Sequence, residues 1–462
     1  MSEGEGIIER FEQYLQLLAP VFGHADRENP AAWYLKGLLS DLPRKSVEPM
    51  AALVHRENVR SAHQSMHNLV AVADWDDAEL LSVVTRAVIP KLAAGTKDRY
   101  WIVDDTAHPK KGTRSVGVAR QWCGRLGKEE NCQDAVTLSF ASDRGSIPMG
   151  YHLYLGHEWT DDWARCAAAG VPDHVRFQTK GQIARDLISA ATLQGVPRGI
   201  VLGDASYGVE TDLRDGLRKE GFDYALAVRK STTVWWGKFQ PAPEPPQDHG
   251  HPRTRLLRDE SHQPVAVGEL ARLLPPESWE TITWREGAGG GTLYSRFARV
   301  RARAAHENQR RPEEWLLIEW PDRADEPAHF WLATFPEKIS FKELVRHAKA
   351  RWRIERDYQE LKSEIGLSHY EGRNWRGFHH HAALCIAAYG FLILEGLDSK
   401  KKSELNYKNL PYPEISVQGA LGRMQRHVPW SVPTIRRDFA AALRAALEAT
   451  STQLPAVVLQ AA

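Results

Sequence analysis

The chain has 462 residues, 42% of them hydrophobic, with 60 basic side chains against 59 acidic ones. Its length leads one to expect two to four structural units, and its near-neutral charge excludes a compact, strongly basic nucleic-acid module, so any DNA site must be a local patch. No run of about 18 uncharged apolar residues reads as a membrane span, and the acidic start MSEGEGIIERFEQ does not read as a signal peptide, so a cytoplasmic protein is expected.

Residues 1–95 read as a helical unit. IIERFEQYLQLLAPVF and DDAELLSVVTRAVIPKLA both carry apolar residues at helical spacing. The pattern then changes to alternating strands and helices over 96–229. DRYWIVDDT is a short apolar run ending in two aspartates, the signal of a buried strand. DAVTLSFASD and PMGYHLYLG read as two further strands with a turn at Asp143-Arg144-Gly145. TKGQIARDLISAATLQG is an amphipathic helix stopped by Gly195, RGIVLGDASYG is another apolar run closed by an aspartate, and FDYALAVRK is a fifth strand. This order predicts an α/β fold, a mixed sheet with helices on its faces. Residues 230–340 open with the Pro-rich KFQPAPEPPQDHGHPRTR, an expected loop, and continue as a smaller β-rich unit with a flexible EGAGGG turn. Over 341–398 come one long helix, FKELVRHAKARWRIERDYQELKSEI, stopped near Gly366, and a more buried one; residues 399–462 form a polar, then helical tail.

The carboxylates carry the chemistry. Asp104 and Asp105 close the first strand, Asp204 closes the fourth, and Glu355 sits on the long helix. Open α/β sheets bind ligands beyond the carboxyl ends of their strands. Carboxylates gathered there repel one another, and a hard divalent cation relieves that repulsion. Oxygen-only ligation suits Mg²⁺ or Mn²⁺ rather than zinc. The four cysteines, Cys123, Cys132, Cys166 and Cys385, form no C-x-x-C pair and are read as free thiols. Two such ions roughly 3.5–4 Å apart activate a nucleophile and stabilise the leaving oxygen of a phosphodiester. His379, His380 and His381 point in three directions on a helix and are not expected to share a metal.

The long helix supplies an internal test. At about 100° per residue, Arg351, Glu355 and Lys362 fall within roughly 40° of one another, and Tyr358 joins that face. Glu360 and Glu364 fall on the other side. One acid is thus flanked by two cations able to hold phosphates beside a metal.

With these residues in hand, the chain resembles bacterial insertion-sequence transposases of the DDE superfamily, IS-701 type. The matching stretches are YLKGLLSDLPRKSVEPMA, WIVDDTAHPKKGTRSVGVARQWCGRLGKEENCQDAV, LYLGHEWTDDWARCAAAGVP, VLGDASYG and RWRIERDYQELKSEIGLSHYEGRNWRGFHHHAAL. The resemblance implies an RNase H-like core with a β-rich insertion between the second acid and the third, and about 150 residues do separate Asp204 from Glu355. It implies Asp105 or Asp104 as the first catalytic acid, with Asp105 preferred because it directly precedes Thr106, then Asp204 and Glu355, these acids holding two Mg²⁺, with Mn²⁺ as a substitute. Alternation along a strand lets only one of the neighbouring pair ligate directly. Arg351, Glu355 and Lys362 match three members of a Tyr-Arg-Glu-Lys signature whose Tyr falls on Ala348, so a hairpin intermediate is not implied.

The resemblance further implies double-stranded DNA as the partner, both transposon ends and target, a homodimer in the synaptic complex, no membrane, and a cytoplasmic, nucleoid-associated bacterial protein. Lys110, Lys111 and Arg114, and Arg44 and Lys45 in the N-terminal unit, are expected at DNA, with solvated turns as the plain alternative. Trp331 is weighed as a base-stacking aromatic against burial in the insertion. Two rival functions remain: a metal nuclease that cuts without joining, and a non-catalytic DNA-binding descendant.

Overall fold

A computed structural model describes residues 3–124, 126–243, 255–286, 292–307, 309–404 and 431–452. Most of the Pro-rich stretch, the EGAGGG turn and the polar part of the tail lie outside the described residues.

Five helices come first: α1 Glu3–Leu18, α2 Ala25–Leu39, α3 Val47–Val54, α4 Val59–Ala71 and α5 Asp77–Ala93. Their apolar stripes, including Phe11, Leu35, Met66 and Val84, join the same continuous core as the sheet behind them. Next come β1 Tyr100–Pro109, β2 Ala119–Cys123, β3 Lys128–Ser142 and β4 Gly145–Leu153, then the short α6 His157–Thr160 and α7 Trp163–Ala168. Alternation of α8 Lys180–Leu193, β5 Ile200–Gly203, α9 Ala205–Gly208, α10 Thr211–Lys219 and β6 Tyr224–Val228 completes the first part of the sheet. β7 Thr233–Trp235, β8 Val265–Ala266, α11 Val267–Leu273, β9 Trp279–Glu286, β10 Thr292–Ala304, β11 Glu314–Trp320 and β12 His329–Ala333 follow. The chain ends with α12 Phe341–Ala348, a 3₁₀ stretch Lys349–Ile354, α13 Glu355–Glu360, a π-turn Leu361–Ile365, α14 Trp375–Glu404 and α15 Val432–Thr452.

The sheet runs β2-β3-β1-β5-β6-β12-β11-β10-β7-β8, with β4 on β3 and β9 on β10. β1, β5 and β6 are parallel; β3 lies antiparallel to β1. This is the mixed sheet with flanking helices that the sequence predicts. The inserted strands do more than form a separate unit: β12 pairs antiparallel with β6, so they extend the same sheet while keeping a second core around Val234, Leu270 and Leu316.

β1 is buried on both faces. Tyr100 and Trp101 are fully buried, and burial of each such side chain contributes about 1.5–3 kcal/mol. Tyr100 OH meets His347 Nδ1 on α12 at 3.0 Å, whereas Trp101 Nε1 donates to Pro197 O at 3.0 Å and its ring meets Phe222. Even-numbered residues of β1 therefore face the Glu355 helix, and odd-numbered ones face α8 and α10. The helix from 341 is not one ideal α-helix. It tightens to 3₁₀ before Glu355, widens to a π-turn after Glu360, and stops at Gly366, whose φ of 94° favours glycine. α14 contains a stretch, Trp375–Asp398, long and apolar enough by composition to cross a membrane, which the sequence reading did not flag; 83% of its apolar window is buried inside the fold. His379, His380 and His381 on this helix bond separately to Leu153 N, to Val70 and Trp75 carbonyls, and to Tyr34 OH.

Candidate active site

The parallel register of β1 and β5 pairs Tyr100 with Ile200 and Ile102 with Leu202. Continuing it brings Asp104 level with Asp204, which follows the end of β5; β1, however, does not close at Asp104 and Asp105 as expected but runs on to Pro109, because β3 goes on pairing with it as far as Cys132. Asp204 is the N-cap of α9, with Oδ1 accepting from Ser206 N at 2.8 Å. From the helix side, Arg351 Nη1 donates to Asp104 Oδ2 at 2.6 Å, and Arg351 Nη2 stands 3.8 Å from Glu355 Oε1. Asp104, Asp204 and Glu355 line one cleft of about 960 Å³ together with Asp105, Asp134, Lys180, Arg229, Tyr358 and Lys362.

The neighbour Asp105 turns the other way. Its Oδ2 lies 2.6 Å from Lys180 Nζ, and Tyr207 OH donates to its Oδ1. Lys180 also reaches Asp134 Oδ2 at 2.5 Å. Both neighbours line the cleft with Asp204 and Glu355, but they meet different partners there. Alternation on β1 gives Asp104 the face of the helix, and Arg351 and the field of Asp204 act on Asp104.

Burial pushes Asp104 up from the usual carboxylate range to about 6; Arg351 opposes this, and Asp204 and Asp105 add to it. Asp134 is raised for the same reasons, burial first and then Asp105, against Lys180. Burial alone would lower Lys180, but Asp105 and Asp134 outweigh it and hold the ammonium charged. Asp104, Asp204 and Glu355 together keep Arg351 charged in the same way, against its burial.

The acids line a common wall without forming a ready cage: among the described residues no three His, Cys, Asp or Glu side chains converge tightly enough to hold a metal as they stand. Their chemistry nonetheless fits a hard divalent cation: the donors are carboxylate oxygens on one cleft wall, and the charge of Asp204 reaches Asp104.

The other expected residues divide. Lys362 reaches the cleft, 3.4 Å from Ala107 O, and its charge acts on Asp134. Tyr358 also reaches it, its OH 3.3 Å from Ser139 Oγ. Glu360 and Glu364 instead pair with Arg356 and Arg436, away from the cleft. Lys111 and Arg114 are exposed on the connection from β1 to β2, while Lys110 donates to Tyr370 O at 2.7 Å. Arg44 is exposed and paired with Glu371. Lys45 and Trp331 require correction. Lys45 is 2% exposed and its ammonium bonds to Ser40 O; Trp331 is 7% exposed within the core, with Lys349 Nζ 5.7 Å from its ring centre. Neither presents a surface to DNA.

Asp134, Lys180 and Tyr207 escaped the sequence reading. One signal was available: Lys180 is the first residue of α8, where the helix dipole disfavours a cation unless acids hold it there.

A mixed sheet with Asp104 on β1 and Asp204 just past β5, flanked by the helix that carries Glu355, is the layout of an RNase H-like core. A family model described as DDE superfamily endonuclease matches residues 17–291. The chain therefore belongs to the DDE superfamily endonucleases. It is also similar to the probable transposase for insertion sequence element IS701 of Microchaete diplosiphon, 27% identical over 216 residues, 44% of this chain and 52% of that one. The match spans about half the length of that relative. The family match covers Asp104, Asp105, Asp134 and Asp204 and ends before Glu355.

Proposed function

We propose that this chain is a DNA transposase that binds the ends of its own element, cleaves there, and joins the freed 3′-hydroxyl to target DNA. The observation that carries the reading is the cleft lined by Asp104, Asp204, Glu355 and Lys362, with Arg351 held between Asp104 and Glu355 and within the field of Asp204. Asp104, Asp204 and Glu355 would hold two divalent ions, Mg²⁺ or Mn²⁺. Once bound, these ions supply an activated oxygen nucleophile and neutralise charge on the leaving oxygen.

The chain's own part is positioning and charge. Arg351 keeps Asp104 ionised and turned toward Glu355 before metal arrives, and Lys362 offers a cation to a DNA phosphate beside the cut. Lys180 keeps Asp105 and Asp134 out of that group by pairing with both. Lys111 and Arg114 extend the contact along the DNA backbone. Two ends must be handled together, which calls for a homodimer, and a bacterial DNA substrate calls for work at the nucleoid.

The test is purified protein, Mg²⁺ or Mn²⁺, and linear duplexes carrying the DNA that flanks its own gene. End-specific cleavage followed by joining to a second duplex is expected. Cleavage without joining would reduce the protein to a nuclease, and neither reaction would refute the reading.

A further inference from the structure

Glu355 stands at a seam in its helix. The 3₁₀ stretch Lys349–Ile354 runs up to it, and the π-turn Leu361–Ile365 follows the short α13. A helix that tightens and then widens does not by itself fix how far Glu355 turns toward the sheet, so side chains must do so. On the cleft side Arg351 donates to Asp104 at 2.6 Å, and Tyr358 OH lies 3.3 Å from Ser139 Oγ on β3. The far side is held by one buried hydroxyl. Tyr389 on α14 donates toward Asp357 Oδ1 at 3.0 Å and Glu360 Oε2 at 3.1 Å. Both carboxylates are themselves buried. At 100° per residue they lie about 200° and 140° around the helix from Glu355. α14 is a firm base for this contact, since 83% of its apolar window is buried inside the fold. Two buried carboxylates gathered on one donor cost more than an apolar contact of the same shape would. What they gain is a defined rotation of α13.

We propose that Tyr389 is a positioning residue for the divalent-metal site: through Asp357, two residues from Glu355, and with Glu360, its hydroxyl sets the rotation that turns Glu355 toward Asp104 and Asp204. This rests on the reading of the cleft as a metal-dependent DNA-cutting site. Tyr389 touches neither metal nor DNA; it acts through the helix. Without the hydroxyl, two buried carboxylates lose their common donor. Turning them toward water relieves that loss and carries Glu355 out of line.

The experiment compares the full chain with Tyr389→Phe and Tyr14→Phe. Tyr14→Phe removes another buried hydroxyl bonded to α14, but its bond runs to Ala387 O at 2.9 Å rather than to α13. Mn²⁺ is titrated into each protein with a duplex carrying the gene's flanking DNA, the free ion is read by its EPR signal, and single-turnover cleavage is followed at each concentration. Amide exchange over residues 349–365 is measured without metal by mass spectrometry. Tyr389→Phe is expected to need about 10-fold more Mn²⁺ for half-saturation, the scale for losing a group that orients a ligand. Once metal saturates, it is expected to cut at close to the wild-type rate. Its exchange over 349–365 is expected to be faster than wild type. Tyr14→Phe is expected to match wild type in all three. A wild-type Mn²⁺ midpoint and wild-type exchange in Tyr389→Phe would overturn the positioning and leave the cutting reading intact. Equal shifts in both variants would overturn it too, because a general loosening of α14 moves both alike. A wild type that neither holds Mn²⁺ nor cuts, with exchange raised in Tyr389→Phe alone, would instead sink the cutting reading and keep the hold of Tyr389 on α13.

Discussion

Arg351 reaches from the Glu355 helix to β1 and donates to Asp104 at 2.6 Å, while Asp105, one residue on, is pinned by Lys180 on the opposite face. Neighbouring acids on one strand are thereby given different tasks. Asp104→Asn is expected to lower cleavage by about 10³-fold, the scale of removing a charge matched to the transition state. Asp105→Asn should cost less, about 10-fold, because its carboxylate orders Lys180 rather than facing Glu355. Single-turnover cleavage rates decide the matter. If Asp105→Asn proves the more damaging, the assignment of Asp104 is wrong.

A second contrast lies within one helix. Glu355 is 63% exposed in the cleft, whereas Glu360 accepts from Arg356 Nε at 2.7 Å and from Tyr389 OH at 3.1 Å. Glu355→Ala is expected to abolish cleavage while end binding and thermal stability stay close to wild type. Glu360→Ala is expected to leave the chemistry in place and lower stability by about 2 kcal/mol, the range for losing buried hydrogen bonds to a charge. Urea unfolding and cleavage measured on both variants separate the roles, and a catalytic defect confined to Glu360→Ala would refute them.

These contrasts also mark what the sequence reveals. An apolar run ending in Asp is legible as a strand, though only Asp204 marks its end, since β1 runs through Asp104 and Asp105 to Pro109, and 100° per residue sorts Glu355 from Glu360 even though the helix tightens and widens around them. The choice between Asp104 and Asp105 is not legible. Alternation says that they face apart, but only the partner across the gap says which way each faces. Asp134 begins a strand pattern and reads as its boundary; its partner Lys180 is distant in sequence. The union of β6 with β12 joins strands some hundred residues apart, and no local pattern encodes that pairing. Lys45, in the polar loop segment PRKS, reads as solvated because lysine so rarely goes under.

Lys180 supplies a third test. Asp134 is 3% exposed and pairs with Lys180, which also holds Asp105. Lys180→Met leaves two adjacent carboxylates without their shared cation, at an expected cost of about 3 kcal/mol. Asp134→Asn in that background should restore much of the loss, since it removes the buried charge and the repulsion together. A double-mutant cycle by chemical denaturation reads the coupling. Additive effects would show that the three side chains do not act as a unit.

Lys45 gives a prediction in which the sign is decisive. Burial, reinforced by Arg436, lowers its ammonium to about 7, against Asp41 and Glu364, which favour the charge. In the unfolded chain it titrates near 10.4. Well below pH 7 the lysine is protonated in both states, and the fold carries the full cost of a buried charge. Between about 7 and 10.4 the unfolded chain binds more protons than the native one, so wild-type stability rises with pH. Lys45→Met removes the cost, and Ser40 O keeps a donor in Arg436 Nη1 at 2.6 Å. The variant is therefore expected to be more stable than wild type at pH 6–7 by on the order of a few kcal/mol, with the gap closing toward pH 10. Its affinity for end DNA should be unchanged, because the side chain is almost wholly buried. Thermal melts of both proteins across this range, with a binding titration at pH 7, test each part. A gap that widens with pH, or lost DNA binding, would return Lys45 to the surface role first expected of it.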